Sequence, residues 1–194
     1  MRRIPAPAPP RAARHALAGW IGARRDLRRL LVAVARHGPP GAWVAAGCLR
    51  NALWDAAHGR RGTAGAPADV DVVFHAPDRA DAAIDAAFER HLRLALPGVD
   101  WSVTNQARMH RRNGHARYRG LADAIAHWPE TATAVAARLQ GGRVVLLAPL
   151  GLGDLLRLVL RPGPAFRARP DVVRARLRAK NWSRRWPCLR RRGV

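Results

Sequence analysis

The chain has few acidic residues, few cysteines and no long apolar run. Its 194 residues include 35 lysine and arginine residues against 13 aspartate and glutamate residues, giving a formal net charge of +22, and Lys180 is the only lysine. Two cysteines, Cys48 and Cys188, are too few for a disulfide framework, which favours a reducing, cytoplasmic setting. No apolar run approaches the roughly 20 residues that span a bilayer, so we expect no membrane partner.

The arginine excess has two interpretations. It would attract a polyanion, such as a nucleoside triphosphate or a nucleic acid. It is also what a GC-rich genome produces, since alanine, glycine and proline are abundant too. Charge alone does not identify a partner, so the sequence leaves both interpretations open.

The pattern of apolar residues predicts an α+β fold. Hydrophobic residues make up 48% of the chain, enough for a buried core. Alternating or short apolar runs predict strands at 42–46, 69–74, 99–103 and 144–147. Helices are expected over 11–37, 47–58, 78–96, 105–112, 121–128, 130–138, 151–160 and 170–180. This order predicts a small mixed sheet flanked by helices, with helical N- and C-terminal segments.

One folded domain is expected over residues 15–189. Residues 1–14, which begin with two arginines and continue with alanine and proline, are assigned to a flexible tail, although the helical pattern already starts at residue 11. The tail lacks the apolar segment of a signal peptide. Residues 190–194 are assigned to a second, basic tail, and 60–68 to a loop.

Three aspartates are candidate metal ligands. Asp69 and Asp71 are two residues apart in a predicted strand, so both carboxylates project from one face. Side-by-side carboxylates repel unless a cation lies between them, and Mg²⁺ prefers carboxylate and phosphate oxygens. Asp100 begins another predicted strand. If the two strands are neighbours, three carboxylates converge and can hold two metal ions; the alternative is a set of solvated strand residues.

A glycine turn precedes the aspartates. Gly47 and Cys48 lie between a predicted strand and a predicted helix, where free backbone amides and the positive end of the helix dipole suit an anion. Arg50 adds a charge that can reach a phosphate, and Asn51, next to it, is a further candidate for binding the nucleotide. Asn105 and Arg108 follow Asp100 and are candidates for contacts with triphosphate or sugar, although Asn105 is also suited to capping a helix.

These motifs together resemble the DNA polymerase beta-like nucleotidyltransferase superfamily. Within it, the chain is similar to a bacterial nucleotidyltransferase-like family formerly catalogued as a domain of unknown function. The matching segments are AGCLRNALW (46–54), DVDV (69–72), WSVTNQARMH (101–110), WPETATAV (128–135), APLGLGDL (148–155) and KNW (180–182). The resemblance spans about residues 19–189. Two departures are Cys48, where superfamily members commonly have glycine or serine, and His75, where the family more often has an acidic residue.

The resemblance implies a metal-dependent transfer of a nucleoside monophosphate from an NTP. Asp69 and Asp71 would bind Mg²⁺, or Mn²⁺, with the triphosphate, and Asp100 would bind a second metal ion and help to deprotonate the acceptor. Gly47 and Cys48 would offer amides to the phosphates, and Arg50 would neutralise the leaving pyrophosphate.

The acceptor of that transfer stays open: RNA, a protein side chain or a small molecule. Two further hypotheses are a non-catalytic basic nucleic-acid-binding protein and a regulatory protein that binds nucleotide without turnover.

Overall fold

The computed structural model describes residues 10–60 and 69–194. Within them the α-helices are α1 (Pro10–Ala23), α2 (Arg25–His37), α3 (Gly47–Ala57), α4 (Ala82–Ala95), α5 (Met109–Asn113), α6 (Leu121–Ala126), α7 (Gly153–Leu156), α8 (Pro170–Lys180) and α9 (Trp182–Arg185). The strands are β1 (Trp43–Ala45), β2 (Val70–Phe74), β3 (Trp101–Asn105), β4 (Ala136–Gln140), β5 (Arg143–Leu147), β6 (Val159–Leu160) and β7 (Arg190–Arg191). The predicted fold, a mixed sheet with helical terminal segments, is confirmed.

The main sheet has five strands in the order β3-β2-β1-β4-β5. Strands β2 and β3 are parallel, whereas β1 pairs antiparallel with both β2 and β4, and β4 with β5. The first residues of β2 and β3, Val70 and Trp101, are register partners. The two strands therefore begin at the same edge of the sheet.

The two faces of the sheet have different coverings. Val70, Val72 and Phe74 of β2 are buried on the face covered by α2 and α4, and the Phe74 ring lies 6.5 Å from Phe88 of α4. Val73 points to the other face, where it packs with residues of α6 and of the segment before β4. Because strand side chains alternate, Asp71 shares this second face.

Three predictions at the chain ends need correction. The helix expected over 11–37 is two helices, because Arg24 has an extended backbone (φ −85°, ψ 118°) between α1 and α2. Residues 10–14, placed in a tail by sequence, belong to α1, and Ala13 is buried. Arg190 and Arg191, also placed in a tail, pair with β6. The rest of the N-terminal tail and the loop over 61–68 lie outside the described residues.

The helix predicted over 130–138 is also wrong. Residues 131–133 form a short 3-10 turn, and β4 begins at Ala136. The segment is alanine-rich, which favours helix locally, but pairing with β1 and the hairpin to β5 determine its conformation. Gly141 and Gly142, both with positive φ (55° and 73°), form the hairpin turn, a conformation that glycine adopts without strain.

Three smaller differences complete the comparison with the expected elements. The segment 151–160 contains α7 and β6 rather than a single helix, and β3 extends to Asn105, two residues beyond its predicted end. Helix α4 begins at Ala82 and not at residue 78: its cap is Asp81, whose carboxylate accepts from the Ala83 amide at 2.8 Å. None of the helices in the described ranges is long and apolar enough to cross a membrane.

A C-terminal clamp, made of residues 182–188, holds α3 in place. Trp54 of α3 is fully buried, and the Trp186 ring packs edge-on against it at 5.2 Å. The Asp55 carboxylate accepts from Trp186 Nε1 at 2.8 Å and from Arg185 Nη2 at 2.9 Å. His58 Nε2 accepts from the Cys188 amide at 3.0 Å. These contacts fix the helix whose first residue is Gly47.

Candidate active site

The turn into α3 combines backbone strain with free amides. Ala46 has φ 53° and ψ −122°, a conformation that costs a non-glycine residue about 1–3 kcal/mol, and its amide donates to the Val135 carbonyl at 3.0 Å. No side chain caps the first turn of α3. The helix thus starts with uncapped amides at Gly47 and Cys48, which is the geometry that favours an anion.

Arg50 is buried beside this turn without a carboxylate partner. Only 5% of it is exposed, and within the described residues no carboxylate lies within 4 Å of its guanidinium. Nη1 donates to Thr133 Oγ1 at 2.8 Å, Nη2 donates to Asn51 Oδ1 at 2.9 Å, and the guanidinium carbon lies 4.1 Å from the centre of the Trp182 ring. Burial lowers the pKa of Arg50 to about 10, so the group stays charged at neutral pH. The buried positive charge favours an anion nearby.

Asp69 and Asp71 lie on one face of the sheet near this charge. Asp71 is half-buried in β2, and Asp69 is exposed immediately before the strand. Burial and then the negative charge of Asp69 raise the pKa of Asp71 to about 6, against the opposing effects of Arg50, Lys180 and Arg176. A half-buried carboxyl with a second carboxylate beside it makes a suitable site for a cation.

Asp100 lies one strand away on the same side. Its carbonyl accepts from the Val70 amide at 2.9 Å, and the register of β2 and β3 places it next to Asp69 at the sheet edge. Over residues 10–60 and 69–194, however, no three His, Cys, Asp or Glu side chains are close enough to hold a metal ion by themselves. The three-carboxylate cluster expected from sequence is therefore not assembled by protein side chains alone.

The donor set still fits Mg²⁺ in one respect. Mg²⁺ in nucleotide-processing sites is held by one or two carboxylates, with phosphate oxygens and water completing the shell. Asp69 and Asp71 supply two such carboxylates, and burial, followed by the charge of Asp69, raises the pKa of Asp71, so a cation beside the pair would favour its ionised form.

Sequence reasoning missed basic residues from the far end of the chain. The charges of Lys180 and Arg176 in α8 act on the carboxyl of Asp71 and oppose the rise in its pKa. Arg176 Nε also donates at 2.7 Å to Oε1 of Glu130, which is fully buried. Lys180 is exposed at the end of α8. Its approach to Asp71 depends on the packing of α8, which local sequence does not encode.

Asn105 has a structural role. It is fully buried, Nδ2 donates to the carbonyls of Ala76 (2.7 Å) and Arg79 (2.8 Å), and Oδ1 accepts from the amides of Ala76 (3.1 Å) and Ala107 (3.0 Å). These four bonds use the whole capacity of the amide group. In place of the predicted contact with nucleotide, Asn105 links the loops that follow β2 and β3.

Arg108 is held by an ion pair away from the aspartates. Its Nη2 lies 2.5 Å from Oδ2 of Asp85, a buried residue of α4 that also accepts from the Asn105 amide at 2.9 Å. Helix α4 covers the face of the sheet opposite to Asp71. Because this pair engages the guanidinium on the α4 side, the structure does not bring Arg108 together with Asp69 and Asp71.

Cys48 does not provide a nucleophile. It is buried, and burial, followed by the charges of Asp26, Asp71 and Asp69, raises the pKa of its thiol to about 12. The thiol is therefore protonated at neutral pH. Cys48 contributes its small side chain and its amide to the turn.

Comparison with protein families identifies the family of this chain. A family model described as "Nucleotidyltransferase" matches residues 33–191, most of the chain. The chain belongs to this nucleotidyltransferase family. The matched region contains both the turn at Gly47 and the pair Asp69 and Asp71. A comparison with curated proteins found no match.

Two solved structures support the nucleotidyltransferase fold. A solution NMR structure described as a CCA-adding enzyme head domain is 29% identical, covers 93% of this chain and 96% of its own, and superposes with a TM-score of 0.80. The Thermotoga maritima CCA-adding enzyme complexed with tRNA is 18% identical with a TM-score of 0.52, covering 90% of this chain and 42% of its own. The second likeness concerns the fold alone.

Proposed function

We propose that this protein transfers a nucleoside monophosphate from an NTP to a hydroxyl acceptor, using Asp69 and Asp71. One observation carries the proposal: a repelling pair of carboxylates lies at the sheet edge beside a helix start with uncapped amides and a buried, unpaired arginine. Carboxylates, amides and a positive charge in one place match the parts of a metal-bound triphosphate. Membership of the nucleotidyltransferase family supports the same reaction.

The reaction needs an acceptor oxygen, an α-phosphorus and a leaving pyrophosphate. The acceptor oxygen forms a bond to the α-phosphorus, and the bond from that phosphorus to the pyrophosphate oxygen breaks. Asp100, exposed at the same edge, receives the hydroxyl proton. The amides of Gly47 and Cys48 bind phosphate oxygens. The positive charge of Arg50 stabilises the negative charge that develops on the leaving pyrophosphate. Asn51 orients Arg50 through its Oδ1, so it acts as a positioning residue.

Asp69 and Asp71 are the residues that would hold Mg²⁺ or Mn²⁺. A bound divalent ion would supply positive charge beside the triphosphate, offsetting the repulsion of substrate by the two carboxylates. Lys180 and Arg176 add cationic charge from α8.

The test is incorporation of label from α-³²P-labelled NTPs into cell RNA and protein extracts, with Mg²⁺ or Mn²⁺. Wild-type protein should label an acceptor, and the double variant Asp69→Asn, Asp71→Asn should not. A matched control, Asp78→Asn with Asp171→Asn, changes the charge equally at two exposed aspartates and should keep the activity. Equal labelling by the Asp69, Asp71 variant and wild type would show that these residues are not catalytic.

A further inference from the structure

Glu130 is a fully buried carboxylate with a single bonding partner. Its Oε1 accepts from Nε of Arg176 in α8 at 2.7 Å, and among residues 10–60 and 69–194 no donor bonds its Oε2. Burying a charge with so few bonds costs free energy, and apolar side chains of similar volume often pack at a lower cost. Such a carboxylate is a candidate for a function other than packing.

Glu130 begins the short segment that contacts Arg50. The Thr133 amide donates to the Glu130 carbonyl at 3.1 Å and closes a 3-10 turn. Thr133 Oγ1 then accepts from Nη1 of Arg50 at 2.8 Å. Thr131, in the same turn, donates through its Oγ1 to Oδ2 of Asp154 in α7 at 2.7 Å. One fixed turn therefore connects the residue that binds α8 with the residue that binds Arg50.

Helix α8 is joined to the Arg50 site at a second point. Trp182 follows the end of the helix by two residues, and the centre of its ring lies 4.1 Å from the guanidinium carbon of Arg50. Asn181, between the helix and this ring, has a left-handed backbone (φ 48°, ψ 36°) that turns the chain. The contacts of Arg176 and Trp182 together hold the last turns of α8 beside Arg50.

The charges of Glu130 and Arg176 both act on Arg50. Burial lowers the pKa of Arg50, the charge of Glu130 is the largest effect that opposes this, and the charge of Arg176 lowers the pKa further. Arg176 also opposes the rise that burial causes in the pKa of Asp71. These effects agree with the contacts, since they place the charge of Arg176 close to both groups of the site.

The bond to Glu130 leaves most of the Arg176 guanidinium available. A guanidinium has N–H groups on each of its nitrogens, and in Arg176 only Nε donates to Glu130, while the side chain is 40% exposed. The Arg50 guanidinium faces the glycine turn, because its Nη2 lies 3.7 Å from the position that a Cβ on Gly47 would take. Guanidinium groups with free N–H donors bind phosphate oxygens in pairs.

We propose that Glu130 is a positioning residue for the triphosphate: it holds the guanidinium of Arg176 beside that of Arg50, and both cations bind the pyrophosphate end of the NTP. This inference rests on the proposed nucleotidyl transfer. The pyrophosphate end gains negative charge as it leaves, and cations that are already in place stabilise that charge without reorganisation. Glu130 is buried, so it acts on the substrate only through Arg176.

The sign of one effect tests this role. Glu130→Gln keeps the size of the side chain and removes a negative charge, which by charge alone would tighten NTP binding. Positioning predicts the opposite: the affinity for NTP should fall about tenfold, because the charge-assisted bond to Arg176 becomes a weaker neutral one. Binding is measured by isothermal titration calorimetry with Mg²⁺ and ATP, GTP, CTP or UTP, and with the corresponding monophosphates. The monophosphates lack the pyrophosphate end, so their affinities should change less than about twofold. Unchanged or tighter NTP binding would overturn the proposal.

A double variant tests whether Glu130 acts through Arg176. Arg176→Ala and the double variant Arg176→Ala, Glu130→Gln should bind NTP with affinities within about twofold of each other, because without Arg176 there is nothing for Glu130 to hold. Additive losses would contradict this. If Arg176→Ala is unfolded by circular dichroism, the double variant, which leaves no buried charge unpaired, still decides. It should lose at least as much affinity as Glu130→Gln, and wild-type affinity would overturn the proposal.

Asp85 supplies the matched control. Its buried carboxylate pairs with Arg108 on the α4 side of the sheet. Asp85→Asn should lower Tm, as expected for any buried ion pair, and keep the NTP affinity within about twofold of wild type. Equal losses of NTP affinity in Asp85→Asn and Glu130→Gln would show a general effect of stability and would count against positioning.

Label transfer separates the failure of this inference from failure of the proposed function. If wild type transfers label and Glu130→Gln has the wild-type KM for NTP, the positioning role fails while the transferase stands. If NTP binding depends on Glu130 and Arg176 as expected but wild type transfers no label to any acceptor, the transferase proposal fails and the residues hold a nucleotide without turnover.

Discussion

Replacing Asp71 with asparagine should make the protein more stable at neutral pH while removing its transferase activity. The pKa of Asp71 in the folded protein is raised from 3.8 to about 6, mainly by burial and then by Asp69. Ionising this carboxyl therefore costs more free energy in the folded state than in the unfolded chain, and the ionised group destabilises the fold. Asparagine keeps the size of the side chain and removes the charge.

The size and the sign of the effect follow from that shift. Below pH 3.8 Asp71 is protonated in both states, so its charge has no effect on the free energy of unfolding. Between pH 3.8 and about 6 the folded state retains the proton that the unfolded state releases, and the cost grows with pH. Above pH 6 it reaches on the order of 2–3 kcal/mol, or roughly 4–10 °C in Tm for a chain of this length.

The assay is thermal unfolding of wild type and Asp71→Asn at pH 4 and pH 7.5, without metal. The variant should melt above wild type at pH 7.5 and within about 2 °C of it at pH 4. Adding Mg²⁺ at pH 7.5 should raise the Tm of wild type more than that of the variant, because the ion binds the ionised pair. Asp100→Asn, at an exposed position, is the control and should change Tm little at either pH. A variant that is less stable than wild type at pH 7.5 would refute the reasoning.

Three further substitutions test the turn and its support. Gly47→Ala should leave Tm within about 2 °C, since an added Cβ would meet only the side-chain nitrogens of Arg50 at 3.7 Å and Asn51 at 4.0 Å. The same change should lower the transfer rate at least tenfold by obstructing the phosphates, and full activity would contradict an anion-binding turn. Asn105→Ala should lower the free energy of unfolding, measured in urea, by about 3 kcal/mol or more, because the backbone groups bonded to the Asn105 side chain lose their partners. A decrease below about 1 kcal/mol would count against its structural role. Ala46→Gly should leave the free energy of unfolding unchanged or raise it by up to about 1 kcal/mol, and a clear loss would show that Ala46 is not strained.

Local patterns predicted the elements that carry the aspartates. The alternation around Asp71 identified β2, because one face of that strand is buried and the other is not. The glycine between an apolar run and a helical pattern identified the start of α3. In both cases neighbouring residues alone determine the feature, and the structure confirms it.

Features that depend on distant packing were missed or misjudged. The break at Arg24 has no proline, and its only local signal is Gly22 in the last turn of α1, a residue that a helix can also contain. The strand β4 has a helix-favouring composition and forms because β1 and β5 pair with it. The position of Lys180 near Asp71, and the pairing of Arg108 with Asp85, arise from the docking of α8 and α4. The site residues were chosen by their place in the chain, whereas their partners are set by the tertiary structure.

The C-terminal clamp has a consequence for the order of events during synthesis. Asp55 of α3 and His58, which follows the helix, are bound by residues about 130 positions later. While the ribosome is still making that later segment, the Trp54 ring lacks the cover of Trp182 and Trp186, and the Asp55 carboxylate lacks both of its donors. We therefore expect nascent protein to hold α3 and its glycine turn less firmly until residues 182–188 have emerged.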